Sequence, residues 1–140
     1  MKSLKPILLV EDDSIDAMTV KRALNEIKVG NDIIHVKNGE EALEYLLSED
    51  CIIPCLILLD INMPKMNGIE FLRERNKIRK LRLIPTVILT TSNDDQDKYD
   101  SFDLNIAGYM VKPVDYARFV ELIKTIDLYW SLSETVDYDS

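Results

Sequence analysis

Four consecutive apolar residues, Leu56-Ile57-Leu58-Leu59, run directly into a carboxylate, Asp60. So short and unbroken an apolar run reads as a strand buried on both faces, and such strands belong to parallel sheets covered by helices. Behind Asp60 come Ile61-Asn62-Met63-Pro64 and then the turn signal Asn67-Gly68. Ligands of open α/β sheets bind outside the carboxyl ends of the strands, so Asp60 is expected at the edge where chemistry occurs. An aspartate there can also start a turn or cap a following helix.

The rest of the chain repeats the pattern. A strand over about 6–10 is followed by a helix with Ala17, Val20, Leu24 and Ile27 at spacings of 3, 4 and 3, closed by Gly30-Asn31. Ile33–Val36 is a short strand, and Asn38-Gly39 turns into a helix with Ala42, Leu43, Leu46 and Leu47 on one side. After the Asp60 strand, a helix from Gly68 to about Lys77 buries Ile69 and Leu72. Thr86–Thr90, behind Pro85, is the fourth strand, 94–104 a polar helix and Gly108–Val111 the fifth strand. A last helix starts near Val114 and buries Phe119, Leu122, Ile126 and Tyr129 or Trp130. That is (βα)5: an α/β, doubly wound, five-stranded parallel sheet of the flavodoxin-like kind, with right-handed crossovers and helices on both faces. Residues 1–130 make one domain, and the acidic, polar stretch 131–140 is a loose tail.

The edge gathers more than Asp60. Ile7-Leu8-Leu9-Val10 leads into Glu11-Asp12-Asp13, the fourth strand ends in Thr90-Thr91-Ser92, and the fifth ends in Lys112-Pro113. Asp13 or Ser14 can cap the next helix, with Asp16 in its first turn, but that leaves Glu11 and Asp12 unexplained. Clustered carboxylates repel, so at least one pKa should rise unless a cation is present. Glu11, Asp12 and Asp60 suit a hard divalent cation, magnesium in particular. Lys112 can pair with Asp60 or with an anion bound beside it, and Lys112-Pro113 is a candidate cis peptide that would turn the lysine inward.

Bulk properties narrow the function. A net charge of −8 argues against nucleic-acid binding, which wants a basic face. The basic stretch Arg73, Arg75, Lys77, Arg79, Lys80, Arg82 reads as a solvated helix face and loop that can steer an acidic partner. Cys51 and Cys55 with a single histidine are too few ligands for structural zinc. The start shows no signal peptide and no apolar run approaches a membrane span, so the expected location is the cytoplasm, without membrane association.

The residues Val10-Glu11-Asp12, Asp60-Ile61-Asn62-Met63-Pro64 with Gly68, Leu89-Thr90-Thr91 and Gly108-Tyr109-Met110-Val111-Lys112-Pro113 occur in one order over nearly the whole chain. In this set the chain resembles the receiver domains of bacterial two-component response regulators, in style the small stand-alone receivers that serve bacterial phytochromes. The resemblance implies the receiver fold and phosphoryl transfer from a phosphohistidine, on a sensor histidine kinase such as a phytochrome or on a phosphotransfer protein, to Asp60. It implies Mg²⁺ held by Asp12, Asp60 and the Asn62 backbone carbonyl, with Glu11 acting through water. It gives Lys112 and Thr90 to the phosphoryl oxygens, and Thr90 with Tyr109 to the switch. It also implies that the protein catalyses only its own phosphorylation and dephosphorylation. One departure is Thr91, where the family commonly has a small residue. It is expected to crowd the phosphoryl group and slow attack by water.

Other readings compete. A pseudo-receiver would use the same fold as an unphosphorylated interaction module. An aspartate-nucleophile phosphatase would need a second acid where Asn62 stands. A nucleotide-binding protein would need a glycine-rich phosphate cradle, and no G-x-x-x-x-G-K is present. In the last helix, Tyr116, Leu128, Tyr129 and Trp130 add apolar area at several helical angles, either as a homodimer surface or with Trp130 folded back on the domain.

Overall fold

The computed structural model describes residues 5–132. Five parallel strands, β1 (Ile7–Val10), β2 (Ile33–Val36), β3 (Leu56–Leu59), β4 (Thr86–Thr90) and β5 (Gly108–Val111), form one sheet in the order β2-β1-β3-β4-β5. The helices are α1 (Ser14–Glu26), α2 (Gly39–Leu46), α3 (Gly68–Asn76), the single turn α4 (Arg79–Arg82), α5 (Asp95–Asp103) and α6 (Tyr116–Leu132). The doubly wound architecture is as the apolar runs require, and the order reverses at β1, so a crevice opens between β1 and β3.

Alternation along the strands divides the core. Leu8, Val10, Ile57, Leu59 and Ile88 point to one face, under Ala42, Leu46, Ile69, Phe71 and Leu72 of α2 and α3. Ile7, Leu9, Leu56, Leu58, Val87 and Leu89 point to the other, under Ala17, Val20 and Leu24 of α1 and Phe119, Ile123 and Ile126 of α6. β1 and β3 have no exposed residue, as strands covered on both faces must not.

The helix starts are set by side chains that satisfy free backbone N–H groups. Asp13 accepts from the amides of Ile15 and Asp16, Asn38 from that of Glu41, and Asp94 from that of Asp97. At α3, Asn67 and Glu70 form a reciprocal capping box.

Five expectations are corrected. The bond before Pro113 is trans, and the Lys112 side chain reaches inward without isomerisation. Arg75 is fully buried rather than on a solvated face. Its guanidinium donates to Thr86 Oγ1, to the carbonyls of Ile84, Leu104 and Asn105, and to Asn76 Oδ1. Leu47 lies past the end of α2 and is exposed, so it belongs to no buried stripe. Ile123 takes the buried place on α6, and Leu122 is only half-buried. Helix α6 runs on through Ser131 and Leu132, and the remainder of the expected tail lies outside the described residues.

Candidate functional site

Parallel register brings the chemistry to one edge. Val10 is opposite Leu59, so Glu11 and Asp60 leave their strands at the same level. Leu59 is opposite Ile88, which puts Thr90 one residue beyond the level of Asp60. Thr90 is opposite Val111, and the Lys112 amide donates to the Thr90 carbonyl at 2.7 Å. Four neighbouring strands therefore deliver Glu11 and Asp12, Asp60, Thr90 and Lys112 to one crevice.

Carboxylate oxygens of Glu11, Asp12 and Asp60 all lie within 4.8 Å of one another. Glu11 is buried at 2% exposure, and Asp12 faces solvent. Burial pushes the Glu11 carboxyl up to about 7, the nearby charge of Asp60 adds to this, and Lys112 pulls the other way. Lys112 Nζ donates to Glu11 Oε1 at 2.5 Å and to Asp16 Oδ2 at 3.3 Å. The lysine thus pairs with Glu11 and Asp16, not with Asp60 as expected; Asp60 contributes only through its field. Burial works against the ammonium, yet the hydrogen bond and charge of Glu11 outweigh it, and the Lys112 pKa stands above the ordinary lysine value. Asp60 Oδ1 accepts from the Ile61 amide at 2.8 Å, which orients the carboxylate on its own turn.

Two close approaches hold the segment after Asp60. A Cβ on Gly68 would sit 2.5 Å from the Asp60 carbonyl oxygen and 2.9 Å from Ile61 Cα, so only glycine lets α3 start there. A Cβ on Gly39 would meet Met66 Cγ at 2.7 Å and the Met66 carbonyl oxygen at 2.9 Å, and the Gly39 amide donates to that carbonyl at 2.8 Å. Asn62, the expected carbonyl ligand, is in this segment and exposed.

At the other side of the crevice, buried Thr90 accepts at Oγ1 from the Ser92 amide, 3.3 Å away. The Tyr109 hydroxyl donates to the Ser92 carbonyl at 2.9 Å. Thr90 and Tyr109 are therefore linked through one residue. Thr91 is exposed and lines a groove of about 450 Å³ with Asp16, Arg22, Lys112 and Val114. Chemically, the edge offers hard oxygen donors for a cation, a carboxylate free to act as nucleophile, and an ammonium and a hydroxyl placed to meet an anion.

The model of the response regulator receiver domain matches residues 7–124, most of the chain. The chain belongs to the response regulator receiver family. Rcp1, a response regulator of Synechocystis sp., is 33% identical over 130 residues, spanning 90% of this chain and 88% of that one. The crystal structure of the phosphorylated cyanobacterial phytochrome response regulator RcpA superposes with a TM-score of 0.87 at 34% identity, covering 95% of this chain and 98% of RcpA. The Mn²⁺-bound form of Rcp1 superposes at 0.85 with 32% identity, covering 95% and 99%. This receiver is therefore a two-component signalling protein similar to phytochrome response regulators. Among the described residues no helix is long and apolar enough to cross a membrane.

Three residues of this receiver escaped sequence reasoning. Asp16 was expected only to favour the α1 dipole, yet it also pairs with Lys112. In sequence Ser92 reads only as part of the polar end of the fourth strand, without a role of its own. Arg75 ties α3 to the segment that leads into β5, and its neighbours in sequence, all charged or polar, hid its burial.

Proposed function

We propose that this receiver takes a phosphoryl group onto Asp60 from a phosphohistidine of a sensor kinase or phosphotransfer protein. The observation that carries the proposal is the convergence of Glu11, Asp12 and Asp60 within 4.8 Å, beside a buried lysine, at the carboxyl edge of the sheet. An Asp60 oxygen attacks phosphorus, the phosphorus–nitrogen bond breaks, and the electron pair leaves on the imidazole. In hydrolysis water attacks the same phosphorus, the bond to the Asp60 oxygen breaks, and the carboxylate is restored as inorganic phosphate leaves; in both steps the protein acts only on itself.

The oxygen donor set fits Mg²⁺, with Asp12, Asp60 and the Asn62 carbonyl as ligands and Glu11 through water. When bound, the cation offsets charge on the phosphoryl oxygens. Lys112, which stands beside Glu11 at the same edge, supplies the second positive charge. Thr90 Oγ1 hydrogen-bonds a phosphoryl oxygen, and Tyr109, already bound to the next loop, follows Thr90. The output face is α5, β5 and α6. Thr91, at the mouth of the groove beside Lys112, restricts the approach of water and lengthens the life of the phosphoryl form.

The similarity to RcpA and Rcp1 supports a phytochrome-type kinase as donor. A cytoplasmic site of action and a homodimer belong to the same reading. Leu128, Tyr129 and Leu132 are exposed on α6, while Trp130 is half-buried against the core and meets Tyr129 edge-to-face at 4.9 Å. Trp130 is then the base of the surface and Tyr129 its contact. Sedimentation of wild type and Tyr129→Ala, with and without beryllofluoride, tests this: a concentration-independent monomer throughout removes the homodimer.

Incubation with acetyl phosphate and Mg²⁺ tests the main proposal. A stable, acid-detectable aspartyl phosphate supports it. Continuous turnover of phosphate esters would instead show a phosphatase, and no reaction would show an unphosphorylated interaction module.

A further inference from the structure

Helix α5 has a weak hold on the domain. Its sequence, Asp95-Gln96-Asp97-Lys98-Tyr99-Asp100-Ser101-Phe102-Asp103, has one fully buried residue, Ser101, while Tyr99 and Phe102 stand exposed. An element with so little buried apolar area is easily shifted, and local polar bonds have leverage over it.

One residue holds its start. The Ser92 hydroxyl donates to Asp97 Oδ2 at 2.6 Å and accepts from the Asp94 amide at 3.4 Å. Asp94 in turn caps α5 through the Asp97 amide. The Ser92 backbone does the other work, with its amide on Thr90 Oγ1 and its carbonyl under the Tyr109 hydroxyl. Ser92 therefore has two outlets: its carbonyl leads to β5, its side chain to α5.

We propose that Ser92 is the positioning residue that passes the state of Asp60 to α5, through its hydroxyl bond to Asp97, separately from the branch to Tyr109. This rests on Asp60 being phosphorylated. A threonine hydroxyl has one proton to donate and lone pairs to accept with. When Thr90 turns that proton to an anion on Asp60, its oxygen moves, and the Ser92 amide must follow or let go. The carbonyl carries the displacement to Tyr109. The hydroxyl carries it to Asp97, pulling on the first turn of a helix that little else holds. Hydrogen bonds to a charged acceptor are the stronger kind, so this link transmits rather than yields.

Backbone NMR on the full chain, with Mg²⁺ and beryllofluoride as phosphoryl mimic, separates the two branches. Wild type should show shifts both at Tyr109 and along 95–103. Ser92→Ala and Asp97→Ala should each keep the Tyr109 shift and lose the α5 shifts. The double variant should lose no more than either single one, because both remove the same bond. Ser92→Thr, which restores a hydroxyl, should recover the α5 shifts. Full-size α5 shifts in Ser92→Ala overturn the proposal. So does joint loss at Tyr109 and α5 in both single variants, which would make Ser92 a merely structural residue. A wild type that responds at neither place overturns the phosphorylation reading, and the proposal with it.

Discussion

Lys112 and Glu11 form an ion pair with both side chains under a tenth exposed, the ammonium 2.5 Å from the carboxylate. Two strand ends that are 101 residues apart in sequence thus share one charge pair inside the crevice. Breaking a buried pair from one side strands the other charge, which costs more than the pair itself contributes. Lys112→Ala should therefore destabilise the metal-free protein by about 3 kcal/mol at alkaline pH, where Glu11 is ionised, and by less near neutrality, where the stranded carboxyl takes up a proton. Urea unfolding checks this, and an unchanged midpoint would show that Glu11 is protonated or hydrated without its lysine.

The raised Glu11 pKa sets a pH dependence. A carboxyl at about 7 in the folded protein, against 4.5 ordinarily, binds its proton more tightly folded than unfolded. Stability of the metal-free protein should then fall as pH rises from about 4.5 to about 7. A cation needs the deprotonated carboxylates, so the stabilisation that Mg²⁺ adds should grow over the same window. Melting temperatures with and without Mg²⁺ measure both trends. The Mg²⁺ increment should largely vanish in Asp12→Ala, and an equal increment in both proteins would place the cation elsewhere.

Gly68→Ala tests the backbone contact under Asp60. The new Cβ would have to displace the Asp60 carbonyl from 2.5 Å. Overpacking of this kind costs about 1–3 kcal/mol, and here it moves the nucleophile as well. Both melting temperature and the initial rate of labelling by acetyl phosphate should drop. A normal rate with a lowered melting temperature would show that the turn supports the fold alone.

Thr90→Ala removes the hydroxyl and leaves the Asp60 carboxylate in place. Labelling should persist, while the NMR shift at Tyr109 on phosphorylation should be lost. Full-size shifts at Tyr109 in this variant would separate the tyrosine from the threonine.

Legibility from sequence follows from how each residue is signalled. Asp60 stood out because strand-end position is marked by the apolar run before it, which is unbroken where a strand is buried on both faces, and Lys112 because it ends the half-buried strand Gly108–Val111. The five strands and their order of use were readable for the same reason. Which acid receives Lys112 was not, since a strand end specifies a level but not the direction of a long flexible side chain. Arg75 was misplaced because its solvated neighbours, Arg73, Lys77, Arg79, Lys80 and Arg82, share its composition. Its burial is made tolerable by acceptors that sequence does not place beside it, Thr86 Oγ1 and the carbonyls of Ile84, Leu104 and Asn105. Ser92 carried no periodic signal at all, and its importance comes largely from its bonds to Asp97 and Tyr109, which exist only once β5 and α5 are packed against the β4 end.

Labelling of Asp60→Asn measures the central claim most directly. Asparagine keeps the shape of the side chain but lacks the carboxylate that attacks phosphorus. With acetyl phosphate and Mg²⁺, wild type should gain one phosphoryl group that maps to the peptide holding Asp60, and Asp60→Asn should gain none. Labelling of Asp60→Asn at the wild-type rate, or a wild-type label on any other residue, would contradict it.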